Sequence, residues 1–296
     1  MRFWSVLLVS LAVAGICLWP QDQPPATPPA TPPATAAGQP PAGDAVPPAE
    51  IPPPPVLVNL GKPMALPFQC TREDIQAAGF TCSEEAPCPV YVELSAAAST
   101  GIKYYLAGNI HSDAVTLYAI LLGSEDAGRT WREINPRIRG AGIDHLQFLD
   151  SLTGWAGGEQ LFPLPQEPFV LLTTDGGKTW RQQLIFGEGA ESHFGSLQQM
   201  FFSSRTAGSA IIDRSQGGDA GPFALYETSD GGETWTIKQQ SKQPLEIKGA
   251  PPGGADWRLR VDAATKAFLA EHRQGERWTS GAAFSVDITA CKVPAQ

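Results

Sequence analysis

The 296-residue chain carries 21 lysines and arginines against 30 aspartates and glutamates, a formal net charge of −9. That balance argues against a nucleic-acid binder, whose affinity rests on neutralising phosphates. Charged residues make up 17% and hydrophobic ones 42%, enough to bury a core in one or two domains, while proline is the outlier, with 15 of its 28 copies between Pro20 and Pro55.

In chain order, Arg2 and the apolar run 3–19 make residues 1–19 an export segment. Three fates are open to it. Retention as a signal anchor needs ~17–25 apolar residues, and the run has 17. Cleavage as a signal peptide would follow Ala12-Val13-Ala14. Lipidation would use Cys17, although Ile16 stands where a small residue is expected. Residues 20–55 contain Pro-Pro-Ala-Thr three times, from Pro24, Pro28 and Pro32, and no aromatic residue. Such a stretch cannot bury enough surface to offset the entropy of ordering, and proline biases it towards polyproline extension. It is predicted to be a disordered stalk reaching on the order of 100 Å. The other readings are a passive linker and a ligand for proline-binding modules. The globular part is then 56–296.

Setting Cys17 aside, the cysteines are Cys70, Cys82, Cys88 and Cys291. An even number in an exported chain predicts two disulfides, with three possible connectivities. If all four are bonded, Cys291 pairs with one of the early three and ties the C-terminus to the N-terminal edge. The expected pairing is Cys70–Cys82 with Cys88–Cys291. The histidines His111, His145, His193 and His272 neighbour no cysteine and show no ligand spacing, so no metal or cofactor is expected.

Three octapeptides match one another, at 124–131, 173–180 and 228–235. Their common pattern sets Ser124, Asp126, Gly128, Thr130 and Trp131 against Thr173, Asp175, Gly177, Thr179 and Trp180. The third copy has Thr228, Asp230, Gly232, Thr234 and Trp235. Physically this is a hairpin turn. The carboxylate can accept backbone N–H groups, glycine supplies positive φ, and the tryptophan opens the next strand. The tryptophans are 49 and 55 residues apart, a period that marks solenoids or propellers. A degenerate fourth copy spans 271–278, keeping Gly275 and Trp278 but placing Arg273 where the aspartate belongs. Four strands per unit are readable around the boxes: 90–94, 103–109, 115–122 and 131–134; then 145–150, 154–158, 169–173 and 180–186; then 197–202, 207–212, 223–228 and 235–239. A last unit starts at 257–261 and ends at 284–288. A fifth could form from 56–68 with a C-terminal strand. The best helix signal is 71–78, with Thr71 as N-cap and Asp74 three residues on. The predicted class is all-β, a β-propeller of four-stranded blades, four of them readable.

The octapeptide resembles the Asp-box (BNR) repeat, which joins the third and fourth strands of propeller blades. The run 146–158, followed by 172–180, is similar to the blade consensus of the photosystem II assembly/stability factor-like propeller family. That resemblance implies an exported, non-catalytic propeller that binds or scaffolds another protein. The family carries an Arg-rich binding patch, and the residues here that answer to it are Arg129, Arg132, Arg137 and Arg139. They sit in an acidic domain, with 20 basic and 27 acidic residues over 61–296. The alternative for them is a solvated face beside a turn.

The enzyme alternative is a carbohydrate-binding or sialidase-like propeller. Its chemistry needs three arginines on a carboxylate, a Tyr paired with Glu, and an acid/base Asp. No Phe/Tyr-Arg-Ile-Pro motif occurs, and Tyr226 and Glu227 are strand neighbours that should point to opposite faces. The expected protein is therefore anchored by residues 3–19 on the periplasmic or cell-surface side of a membrane. Its expected partner is another protein, with a glycan as the alternative, and no nucleic acid.

Overall fold

The computed structural model describes residues 54–161, 166–187, 194–214, 221–250 and 256–292. The export segment and nearly all of the stalk lie outside the described residues. Within the described residues no helix is long and apolar enough to cross a membrane.

The architecture is all-β, in four sheets of propeller-blade type. The first holds β2 (Cys88–Thr100), β3 (Lys103–His111), β4 (Thr116–Ser124) and β5 (Thr130–Glu133), with β6 (Ile138–Arg139) beside β4. The second holds β7 (Ala141–Phe148), β8 (Gly154–Gln160), β9 (Glu167–Thr173) and β10 (Arg181–Leu184). The third holds β11 (Ser196–Phe202), β12 (Gly208–Asp213), β13 (Phe223–Thr228) and β14 (Thr236–Ser241). The fourth has three strands, β15 (Trp257–Asp262), β16 (Ala267–Gln274) and β17 (Arg277–Ser285). Apart from the β4–β6 pair, these ladders are antiparallel between sequence neighbours, so short turns suffice to connect them.

Side-chain patterns follow from where each sheet sits. In β4 the run Ala119–Leu122 is buried on both faces, because the first sheet lies between the fourth and the second. In β13 burial alternates, and Ala224 and Tyr226 point to the second sheet. β14 is exposed along nearly its whole length. The core accordingly falls into three clusters, joining the fourth sheet to the first, the first to the second, and the second to the third. None of these clusters joins the third sheet to the fourth among the described residues. On the far face of the third sheet Ile211 is buried, and the chain that follows the sheet returns to its edge. Gln199 lies opposite Ile211, and its Oε1 accepts from the N–H of Ile247 at 2.9 Å.

Both terminal segments cross the junction of the fourth and first sheets. β1 (Leu57–Val58) pairs with β5, and Met64 bridges in parallel to Phe284 of the fourth sheet. β18 (Asp287–Cys291) leaves the fourth sheet and pairs with β2. The expected fifth blade therefore does not form among the described residues. Its strand material is divided between two existing sheets, whose edges offer partners at once. The expected last strand, 284–288, is likewise split at Val286, whose N–H and C=O turn to Lys266 and Val92.

α1 (Arg72–Ala77) starts at the predicted cap. Thr71 Oγ1 accepts from Asp74 N–H at 3.1 Å and Asp74 Oδ2 accepts from Thr71 N–H at 2.8 Å. The same buried carboxylate accepts from Tyr118 Oη, and Arg139 pairs with it at 3.3 Å. The two disulfides are Cys70–Cys291 and Cys82–Cys88. The expected pairing is thus corrected, although Cys291 does bond one of the early three. Cys88 and Cys291 are opposite one another on β2 and β18, but each takes its partner from the helical segment.

Candidate functional site

The three octapeptides form three turns of one design. Ser124, Thr173 and Thr228 each turn a buried hydroxyl back to accept from the N–H four residues on, at 2.8, 2.9 and 2.9 Å. Each hydroxyl donates in turn to the aspartate. Asp175 also accepts from the N–H groups of Lys178 and Thr179 at 3.0 Å each and from Thr179 Oγ1 at 2.7 Å. Asp230 repeats this with Glu233 and Thr234, and Asp126 with Thr130. The threonine bonds hold the Asp230 carboxyl at about 2, and those of Thr179 overcome partial burial to take Asp175 to about 2 as well. The backbone reaches these carboxylates through two successive positive φ angles, at Gly176 and Gly177 and at Gly231 and Gly232. In the first turn Ala127 takes φ 59°, where a side chain is unfavourable.

The second and third turns then clasp the neighbouring sheet. Tyr105 Oη of the first sheet donates to Gly176 O at 3.1 Å, and Trp155 Nε1 of the second donates to Gly231 O at 2.8 Å. Tyr105 stacks on Phe148 at 3.8 Å between centroids, and Phe148 meets Trp180 edge-on at 5.9 Å. One sheet along, Trp155 stacks on Phe202 at 3.9 Å, and Phe202 meets Trp235 at 5.9 Å. The flat stacking leaves no room for a side chain beneath the ring. A Cβ at Gly154 would lie 2.6 Å from Phe148, and one at Gly208 would lie 2.4 Å from Phe202. Strand register makes Tyr105, Trp155 and Ser209 equivalent, each one residue beyond the partner of its turn's first hydroxyl residue. The third sheet therefore has serine where the clasp would begin.

A second set of contacts lies at the other end of the inner strands, each bulged at one position. Asn109 Oδ1 accepts from Ile143 N–H at 2.9 Å, and Ser95 Oγ donates to Ile143 O. One sheet along, Glu159 Oε1 accepts from Leu197 N–H at 2.5 Å, and His145 Nε2 bonds Leu197 O at 3.0 Å. Burial pushes the Glu159 carboxyl up to about 7, with Asp144 adding to the rise against the Leu197 bond. Back at the turn end, Gln147 bonds both main-chain groups of Phe202, at 2.7 and 2.8 Å.

Each of the four expected arginines is held by its own partners. Arg129 bonds its own turn at Asp126 O, and Arg132 pairs with Glu125 at 3.8 Å. Arg137 is held by Glu133 at 2.7 Å and Pro67 O, and Arg139 by Glu73 at 3.0 Å and Asp74. Arg137 lies over Phe68 at 5.4 Å and Arg139 over Tyr118 at 5.8 Å, and these two rings meet at 5.9 Å, so this pair stays together while Arg129 and Arg132 belong to the first turn. At 271–278 the β16–β17 hairpin keeps positive φ at Gly275, but Arg273 donates to Gly275 O instead of supplying an acceptor. Trp278 lies under Arg258, whose guanidinium is 4.9 Å from the ring centroid. Tyr226 is buried against Phe186, while Glu227 pairs with Lys238 on the opposite side. The turn end also carries an open cleft of about 280 Å3 between the second and third turns. Leu152, Arg181, Arg205 and Glu233 line it, with Arg181 paired to Glu233 at 2.6 Å and Arg205 to Asp150 at 2.8 Å.

The clasp residues Tyr105, Trp155, Phe148 and Phe202 and the bridging Glu159 escaped the sequence reading. The available signal was a period: Phe148 and Phe202, like Gly154 and Gly208, stand 54 residues apart, close to the 55 between Trp180 and Trp235.

No family model matches the chain. No curated protein matches it either. Similar solved structures include the GH74 xyloglucanase from Xanthomonas campestris, at 16% identity over 64% of this chain and 28% of that one, TM-score 0.34. Another is YCF48 from Cyanidioschyzon merolae, at 16% identity over 69% of this chain and 58% of that one, TM-score 0.31. The chain thus spans 28% and 58% of the lengths of these two proteins.

Proposed function

We propose that the chain is an exported, non-catalytic propeller that binds or scaffolds another envelope protein, tethered through residues 3–19. The observation that carries this reading is how the repeats use their polar atoms. The turn aspartates, hydroxyls and glycine carbonyls are bonded within the turns or to the next sheet, so the repeats build a framework. What they present outward is the turn end, with its cleft at Leu152, Arg181, Arg205 and Glu233. Mixed apolar and paired charged groups of this kind suit a protein surface. The two disulfides support an oxidising, extracytoplasmic compartment.

A photo-crosslinking residue at Leu152, in the full chain in intact cells, tests the reading. It expects one discrete protein adduct that Arg181→Ala with Arg205→Ala diminishes. No adduct, together with a clear ligand in a glycan screen, would sink it. The glycosidase-like alternative has one observation in its favour, the Glu159 carboxyl near 7 with Asp144 beside it. On that alternative Glu159→Gln abolishes hydrolysis of a chromogenic glycoside; the binding reading expects no hydrolysis to begin with.

A further inference from the structure

The four cysteines of the described domain meet at one place. Cys88 and Cys291 are directly opposite on β2 and β18, yet Cys88 bonds Cys82 and Cys291 bonds Cys70. Opposite residues of an antiparallel pair share a face, with Cα atoms ~4.5–5.5 Å apart. That lies inside the ~4.4–6.8 Å that a disulfide spans. A Cys88–Cys291 bond can therefore form with both strands in place. Each disulfide has one half-buried cysteine and one buried, Cys88 with Cys82 and Cys70 with Cys291, but only Cys82–Cys88 closes a short loop whose five residues are all exposed.

We infer that these cysteines form a thiol–disulfide exchange centre, in which an external dithiol reduces Cys82–Cys88 and Cys88 then takes Cys291 from Cys70. In the first step the dithiol gives up two electrons and closes its own disulfide, and Cys82 and Cys88 become thiols. In the second, the Cys88 thiolate attacks Sγ of Cys291. The Cys88–Cys291 bond forms as Cys291–Cys70 breaks, and Cys70 leaves as a thiolate that takes a proton from water. The second step needs no further reductant, and the two thiols at the end are Cys70 and Cys82. The output is selective. β18 stays tied to β2, while the segment carrying α1 loses both covalent anchors and is held by Asp74, Tyr118 and Arg139.

The test uses the full chain, one equivalent of dithiothreitol at pH 8 and a maleimide quench. Cleavage after Glu84 and Glu85 separates Cys82 from Cys88 for mass mapping. Cys17 apart, the expected product carries maleimide on Cys70 and Cys82 and a Cys88–Cys291 crosslink. Maleimide on Cys82 and Cys88 with Cys70–Cys291 intact would overturn the inference, as would maleimide on Cys70 and Cys291. Independently, Cys82→Ser should yield a Cys88–Cys291 crosslink with Cys70 free; a map holding only Cys70–Cys291 would count against it. Should that variant fail to fold, the wild-type reduction decides alone.

Discussion

The fourth and first sheets share the two terminal segments, themselves tied by a disulfide, whereas among the described residues the second and third are joined mostly by side chains, with one main-chain bond from Gly195 N–H to Gln166 O. At the first junction β1, the Met64 bridge, β18 and Cys70–Cys291 all cross. At the second, the links are Trp155 on Gly231, Gln147 on Phe202, and Glu159 with His145 on Leu197. The difference teaches that a repeat unit carries its own fastening. Where chain ends are at hand they supply a different one, which no repeat encodes.

The largest expected effect falls on the side-chain junction. Trp155→Ala removes a fully buried ring, its stacking and the Gly231 bond, and should cost about 3–5 kcal/mol in denaturant unfolding. A loss below ~1 kcal/mol would mean that the clasp does not hold the third sheet. Next comes the covalent junction. Cys291→Ser opens a crosslink spanning 221 residues and should cost about 2–5 kcal/mol. Proteolysis should then begin at the terminal segments rather than in the third sheet.

Two further outcomes depend on pH. Glu159 titrates near 7 in the fold against an ordinary 4.5, so the unfolded chain gives up its proton first. Stability should fall as pH rises from about 4.5 to about 7 and stay low above it. Glu159→Gln should flatten that fall in thermal melts at pH 5 and 8; an unchanged slope would remove Glu159 from the junction. Asp175 and Asp230 work in the opposite sense. Their folded carboxyls lie near 2 against an ordinary 3.8, so their contribution is present above 3.8 and lost as pH drops through 2. Asp230→Asn should blunt that acid loss. The smallest effect is a gain. Ala127→Gly relieves the positive φ of the first turn and should add up to ~1 kcal/mol.

What was legible in the sequence is what is local. The polar side-chain bonds within each turn span at most four residues, so the octapeptide shows them as a pattern. The blade strands follow from the same period. The cysteine pairing depended on which strand lies beside which, since the ladder opposes Cys88 and Cys291 while the helical segment claims both. The material of the expected fifth blade went to two sheet edges for the same non-local reason. Arg129 to Arg139 read as a cluster, but the intervening turn and β6 hand each one a different partner. Glu159 gave no signal because its role is to meet a main-chain N–H of another sheet.

The pairing of β18 with β2 also sets an order of assembly. The second and third sheets each close from one continuous run of chain. The first sheet contains residue 88 and residue 291 as ladder partners, so it waits for the far end of the polypeptide. Such long-separation contacts are the slow ones. The first blade to leave the ribosome is the last to be finished.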